Sequence, residues 1–109
     1  MRPKGGTGLA RLTDDQIDAA LGGLEGWTRA GQVMQKVYAF PTFPEAIAFV
    51  VRLAFEAEAA DHHPDLAVNY RRVTVSYTTH SEGGLTRKDV DGANTTERMY
   101  RDIQARAPK

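Results

Sequence analysis

Residues 58–89 read EAADHHPDLAVNYRRVTVSYTTHSEGGLTRKD, and the fold turns on how this stretch is divided. Asp61-His62-His63-Pro64-Asp65 ends the helix before it, because the residue preceding a proline disfavours the α region. Leu66, Val68 and Tyr70 then alternate with Ala67 and Asn69, the period-two pattern of a strand. Arg71-Arg72 forms a tight turn or bulge. Val73, Val75 and Tyr77 alternate with Thr74, Ser76 and Thr78, a cleaner half-buried strand. Two strands around a short turn make a hairpin, which carries His80 back towards His62 and His63. By strand parity His80 lies on the threonine face, among polar neighbours. Ser81-Glu82-Gly83-Gly84 is a turn. Thr86 is a good N-cap with Asp89 three residues on, and it opens a helix over about 87–105. The apolar set of that helix is thin, and Gly92 in its interior costs about 1 kcal/mol relative to Ala.

Upstream, Thr42-Phe43-Pro44-Glu45 opens a long helix, with Pro in the first turn and Glu45 at the positive helix end. Ile47, Val50, Val51 and Ala54 form one apolar stripe. Phe49, Leu53 and Ala57 form another on nearly the opposite side. A helix apolar on both sides is buried on both, so a second subunit is expected against one of them. Trp27–Ala30 and Val33–Phe40 flank Gly31-Gln32 as an earlier hairpin. Neither face of its second strand is cleanly apolar. Thr13-Asp14-Asp15-Gln16 has the form of a capping box and starts a helix over about 14–21, stopped by Gly22-Gly23. The order is αββαββα. It predicts an α+β domain, a four-stranded antiparallel sheet with helices packed on one face.

The chain has 109 residues, with 14 basic and 14 acidic side chains and no cysteine. That length is one domain, here residues 11–109, after a Gly-rich N-terminus over 1–10 expected to be flexible. No basic patch points to nucleic acid. No apolar run has the length of a membrane span or the form of a signal peptide, so a cytoplasmic protein is expected. Without cysteine there is no thiol chemistry and no disulfide.

All three histidines, His62, His63 and His80, fall in the quoted stretch. Histidine titrates nearest neutrality and is the usual proton donor and acceptor in catalysis. A zinc site is disfavoured, since adjacent residues in extended chain point apart and no H-x-x-x-H pair occurs. Taken singly, each histidine reads as a solvated surface residue.

The spacing Glu58, His62-His63-Pro64, Tyr70, His80, Asp89 resembles the active-site pattern of the pterin-4a-carbinolamine dehydratases, and the wider resemblance runs from about Leu12 to Ile103. It implies loss of water from a 4a-hydroxytetrahydropterin, giving the quinonoid dihydropterin, without cofactor or metal, in tetrahydrobiopterin recycling. By the same resemblance His62, His63 and His80 are the catalytic residues. His63 is then the principal acid/base, His80 lies across the pterin ring, and His62 binds or assists. Asp61, Thr79, Ser81 and Glu82 match the substrate-binding stretches, while Glu58, Tyr70 and Asp89 support. The sequence departs from some members at Leu66 and Ala67, where those carry aromatic residues. The family implies a homodimer or homotetramer. It also supplies the alternative of a non-catalytic binding, dimerisation or assembly module, since animal members bind a homeodomain transcription factor.

Overall fold

The computed structural model describes residues 10–106. The expectation of a flexible segment over residues 1–10 therefore lies, Ala10 apart, outside the described residues. Among the described residues the elements are α1 (Asp14–Gly22), β1 (Thr28–Ala30), β2 (Val33–Ala39), α2 (Phe43–Ala60), β3 (Asp65–Asn69), β4 (Arg72–Tyr77) and α3 (Arg87–Arg106), with a 3-10 turn at His80–Glu82. The four strands form one antiparallel sheet in the order β1-β2-β4-β3. The two hairpins meet at β2 and β4, and α2 connects them.

Each helix starts where the sequence places a cap. Thr13 accepts from the Gln16 amide at 3.1 Å while Gln16 Oε1 accepts from the Thr13 amide at 2.8 Å, a reciprocal capping box. Thr42 Oγ1 accepts from the Glu45 amide. Thr86 Oγ1 accepts from the Lys88 amide at 3.2 Å, and Asp89 reaches back to the Thr86 amide at 2.9 Å.

The helices cover one face of the sheet. Met34 and Tyr38 of β2 and Val73, Val75 and Tyr77 of β4 point into that layer and are buried. Ala46, Phe49, Leu53 and Ala57 of α2 pack onto it. The mixed character of β2 has a physical reason. Lys36 shares the inward face, but its ammonium sits 2.7 Å from Glu97 Oε2 and 2.9 Å from the Glu25 carbonyl. The same carboxylate oxygen accepts from Tyr38 at 2.5 Å and Trp27 Nε1 at 3.1 Å. Glu97 thus gathers three donors and ties α3 to the first hairpin.

Two sequence expectations need correcting. Tyr70 does not continue β3; it sits in the hairpin turn at φ 54, is 69% exposed, and stacks on Phe43. The stripe of α2 left outside is Ile47, Val51 and Phe55, each exposed, while Val50 packs at the edge of the core.

Candidate active site

The C-terminus of α2 brings His62 and His63 into place. Asp61 takes the left-handed conformation, φ 52 and ψ 42, at the helix end. Its amide bonds to the Glu58 carbonyl, and the His62 amide reaches the Ala57 carbonyl at 3.1 Å. This pair of bonds is the Schellman arrangement, which satisfies the last helix carbonyls and turns the chain off the axis. Pro64 then keeps the chain extended. His62 is therefore held by its own backbone against the end of α2.

Asp89 holds the His62 side chain. Asp89 is 0% exposed, and its Oδ1 lies 2.6 Å from His62 Nε2. Its Oδ2 accepts from the Thr79 hydroxyl at 2.7 Å and from the Thr86 amide at 2.9 Å. The Thr86 hydroxyl lies 2.7 Å from that of Thr79, completing a chain of hydroxyls under the carboxylate. An ionised carboxylate only accepts, so Nε2 of His62 carries a proton and Nδ1 is the nitrogen left free. Tyr77 stacks on the His62 ring, with centroids 5.8 Å apart and 13° between planes. Burial raises the Tyr77 hydroxyl above the ordinary tyrosine value, so it remains a neutral donor.

His63 is held more loosely. Its Nε2 lies 2.8 Å from Glu58 Oε1, and both side chains are largely exposed. His80 opens the 3-10 turn after β4 and is exposed, and its ring has no hydrogen-bond partner among the described residues. The loop that carries it is closed by paired backbone bonds between Thr79 and Gly84.

All three histidines line one cleft of about 370 Å³, together with Asp61, Thr78, Thr79, Ser81 and Lys88. A second, neighbouring cleft of about 360 Å³ runs between α2 and α3 over Leu53, Ala57, Tyr77 and Gly92, and shares His62 and Lys88 with the first. Among the described residues no group of three or more His, Cys, Asp or Glu side chains is arranged to hold a metal ion.

Of the substrate-facing residues expected from sequence, Asp61 and Ser81 line the cleft with their histidine neighbours. Thr79 lines it too, but its hydroxyl is engaged inward on Asp89. Glu82 is not among the lining residues. Tyr70 packs on Phe43, the first residue of α2, at the opposite end of that helix from Asp61, so the single chain does not bring it to the histidines. Sequence reading missed Lys88 and Tyr77. Lys88 had a signal in its place on the first turn of α3 beside Asp89. Tyr77 read only as an alternating core residue.

A sequence profile of the pterin 4 alpha carbinolamine dehydratase family matches residues 10–99. The chain belongs to this family. A relative from Roseiflexus sp. (strain RS-1), provisionally named a pterin-4-alpha-carbinolamine dehydratase, is 53% identical over 89 residues, 82% of this chain and 96% of that one. A relative from Mycobacterium avium (strain 104) with the same provisional name is 51% identical over 95 residues, 87% of this chain and 94% of that one. Among solved structures, a transcriptional coactivator/pterin dehydratase from Brucella melitensis superposes with a TM-score of 0.80 at 33% identity, covering 84% of this chain and 99% of that one. A pterin dehydratase-like protein identified as a RuBisCO assembly factor in the α-carboxysome shares the fold, with a TM-score of 0.56 at 17% identity over 68% of this chain and 86% of that one. The pterin dehydratase fold thus accounts for the αββαββα order and the single antiparallel sheet found here.

Proposed function

We propose that this member of the pterin dehydratase family is an active 4a-hydroxytetrahydropterin dehydratase working by histidine acid–base catalysis. The observation that carries the reading is the single cleft lined by His62, His63 and His80, with His62 anchored on the buried Asp89. Dehydration needs one proton delivered to the hydroxyl leaving C4a and one removed from a ring N–H, so water departs and no electrons change hands. Positioned histidines supply both transfers near neutral pH, each typically contributing about 10²–10⁴-fold.

The family resemblance favours His63 as the principal group. The geometry favours His62, because its carboxylate partner Asp89 is buried and itself held by Thr79 and Thr86, leaving Nδ1 as the free base, whereas the Glu58 that meets His63 is largely exposed. His63 and His80, exposed and free to exchange protons with solvent, act on the substrate from the other sides of the cleft. Asp61, Ser81 and Lys88 bind the pterin edge. No metal or cofactor enters this chemistry, and recycling of a tetrahydrobiopterin-type cofactor in the cytoplasm is its context.

The working form is a homodimer or homotetramer. Ile47, Val51 and Phe55 present an apolar stripe on α2, and β3 is an edge strand whose five residues are all exposed. Soluble monomers rarely leave such surfaces uncovered.

The test is thermal-shift titration with a non-reactive pterin analogue. A rise in Tm that His62→Ala and His80→Ala each diminish supports the reading. A binding or assembly module of the same fold would give no pterin-dependent shift.

A further inference from the structure

Tyr77 and Gly92 transfer no proton in the chemistry above, yet their packing is constrained from several sides. Tyr77 ends β4 and is 2% exposed. His62 stacks on its ring, and Trp27 packs against the ring at 6.1 Å between centroids. Its hydroxyl is anchored as well. Thr96 donates its only hydroxyl proton to the Gly92 carbonyl at 2.8 Å, so at 3.2 Å Tyr77 is the donor to Thr96. A methyl group on residue 92 would stand 2.6 Å from Tyr77 Cε1 and 2.7 Å from Cζ. Those atoms belong to a clamped ring and cannot swing aside as a flexible side-chain end does.

We infer that Tyr77 and Gly92 are positioning residues for His62: Gly92 makes the space in which the Tyr77 ring lies, and that ring sets the plane of the His62 imidazole. One hydrogen bond to Asp89 fixes the tautomer but leaves the imidazole free to rock about the Nε2···Oδ1 axis. The near-parallel stack on Tyr77 removes that freedom. Together the two contacts determine where Nδ1 points, and catalysis is sensitive to such placement. Gly92 weakens the helix locally, and a Cβ at that position would displace the ring. The inference rests on the acid–base reading of His62.

The experiment compares Gly92→Ala, Tyr77→Leu, Tyr77→Phe and the double variant Tyr77→Leu/Gly92→Ala by histidine NMR and by dehydration kinetics. In the wild type the Tyr77 ring current shifts the His62 ring protons upfield of those of His63 and His80. Gly92→Ala and Tyr77→Leu each abolish this offset and lower kcat by about tenfold or more with KM little changed. Tyr77→Phe keeps the ring, the offset and kcat. The double variant relieves the clash and recovers Tm, but kcat stays low, which a purely structural role would not produce. The inference is overturned if Gly92→Ala leaves the offset and kcat within about twofold of wild type, or if the double variant recovers full kcat without the ring. If Gly92→Ala does not fold, a folded Tyr77→Leu decides by kinetics alone: a fall in kcat with KM little changed upholds the inference, and a kcat within about twofold of wild type overturns it. The NMR arm needs no substrate. An offset present in the wild type and lost in Gly92→Ala, which keeps the tyrosine, upholds the positioning even if no dehydratase activity is found, and an active enzyme without the offset in the wild type overturns it.

Discussion

Asp89 Oδ1 lies 2.6 Å from Nε2 of His62, while Oδ2 of the same carboxylate accepts from the Thr86 amide at the start of α3. One buried side chain therefore caps a helix and orients an imidazole. The capping role fixes Asp89 in space, and the histidine inherits that precision.

Asp89→Asn is accordingly a sharper probe than the sequence alone suggests. The amide can keep one oxygen towards Thr79 and Thr86, which turns its NH₂ onto His62 Nε2. The imidazole must then accept there and carry its proton on Nδ1, the wrong tautomer for a base. The variant is expected to fold and to lose about 10²-fold or more in kcat, the scale of one positioned acid–base group. A fall in kcat below about threefold in a folded variant would remove the orienting role from Asp89.

Asp61 holds a left-handed conformation that glycine adopts without strain, and it places a negative charge at the negative end of α2. Asp61→Gly is expected to raise stability by about 0.5–1 kcal/mol, since relief of a steric cost of about 1–2 kcal/mol exceeds the added chain entropy. The same change should weaken binding of a pterin analogue. Urea unfolding and analogue titration measure the two effects. Greater stability with unchanged affinity would leave Asp61 no part in binding.

The two sides of α2 separate folding from assembly. Phe49 is 0% exposed and Val51 is 51% exposed. Phe49→Glu should destabilise the fold by about 3–5 kcal/mol or more. Val51→Glu should leave the circular dichroism spectrum intact and lower the mass seen by light scattering. The wild type is expected at no less than twice the 12.0 kDa chain mass. A wild type that stays monomeric at concentrations on the order of tens of micromolar would rule out the oligomer.

Acid stability should depend on Glu97. Burial pushes its carboxyl up, but hydrogen bonds from Lys36, Tyr38 and Trp27 outweigh this and leave it below the ordinary value of 4.5. A carboxyl whose folded pKa is depressed stabilises the protein above its unfolded pKa, and that stability is lost as pH falls through the folded value. The wild-type Tm should therefore drop as pH falls below about 4.5, and Glu97→Gln, less stable at neutral pH, should show a shallower acid decline. Parallel curves for the two proteins would contradict this.

Much of the fold was legible because local chemistry and tertiary structure agree. The Thr13, Thr42 and Thr86 caps, the alternation in β4 and the Gly31-Gln32 turn each point to the element that forms. The failures have physical causes. Tyr70 continues the apolar alternation of Leu66 and Val68, and nothing in its type announces a positive φ. Lys36 looks wrong on a core face until Glu97, distant in sequence, supplies its partner. Within the site, the crowding of the three histidines was visible in the sequence. The Asp89 bond, the Tyr77 stack and the space left at Gly92 depend on where α3 crosses β4, which no local pattern encodes.

The most direct measurement is the rate at which the purified chain dehydrates a freshly generated 4a-hydroxytetrahydropterin, followed by absorbance against the uncatalysed reaction at neutral pH. The wild type is expected to accelerate the reaction strongly, with His62→Ala losing the most, His80→Ala and His63→Ala losing less, and each variant folded. No acceleration over the uncatalysed rate by the wild type, or equal and small losses from all three histidine variants, would contradict it.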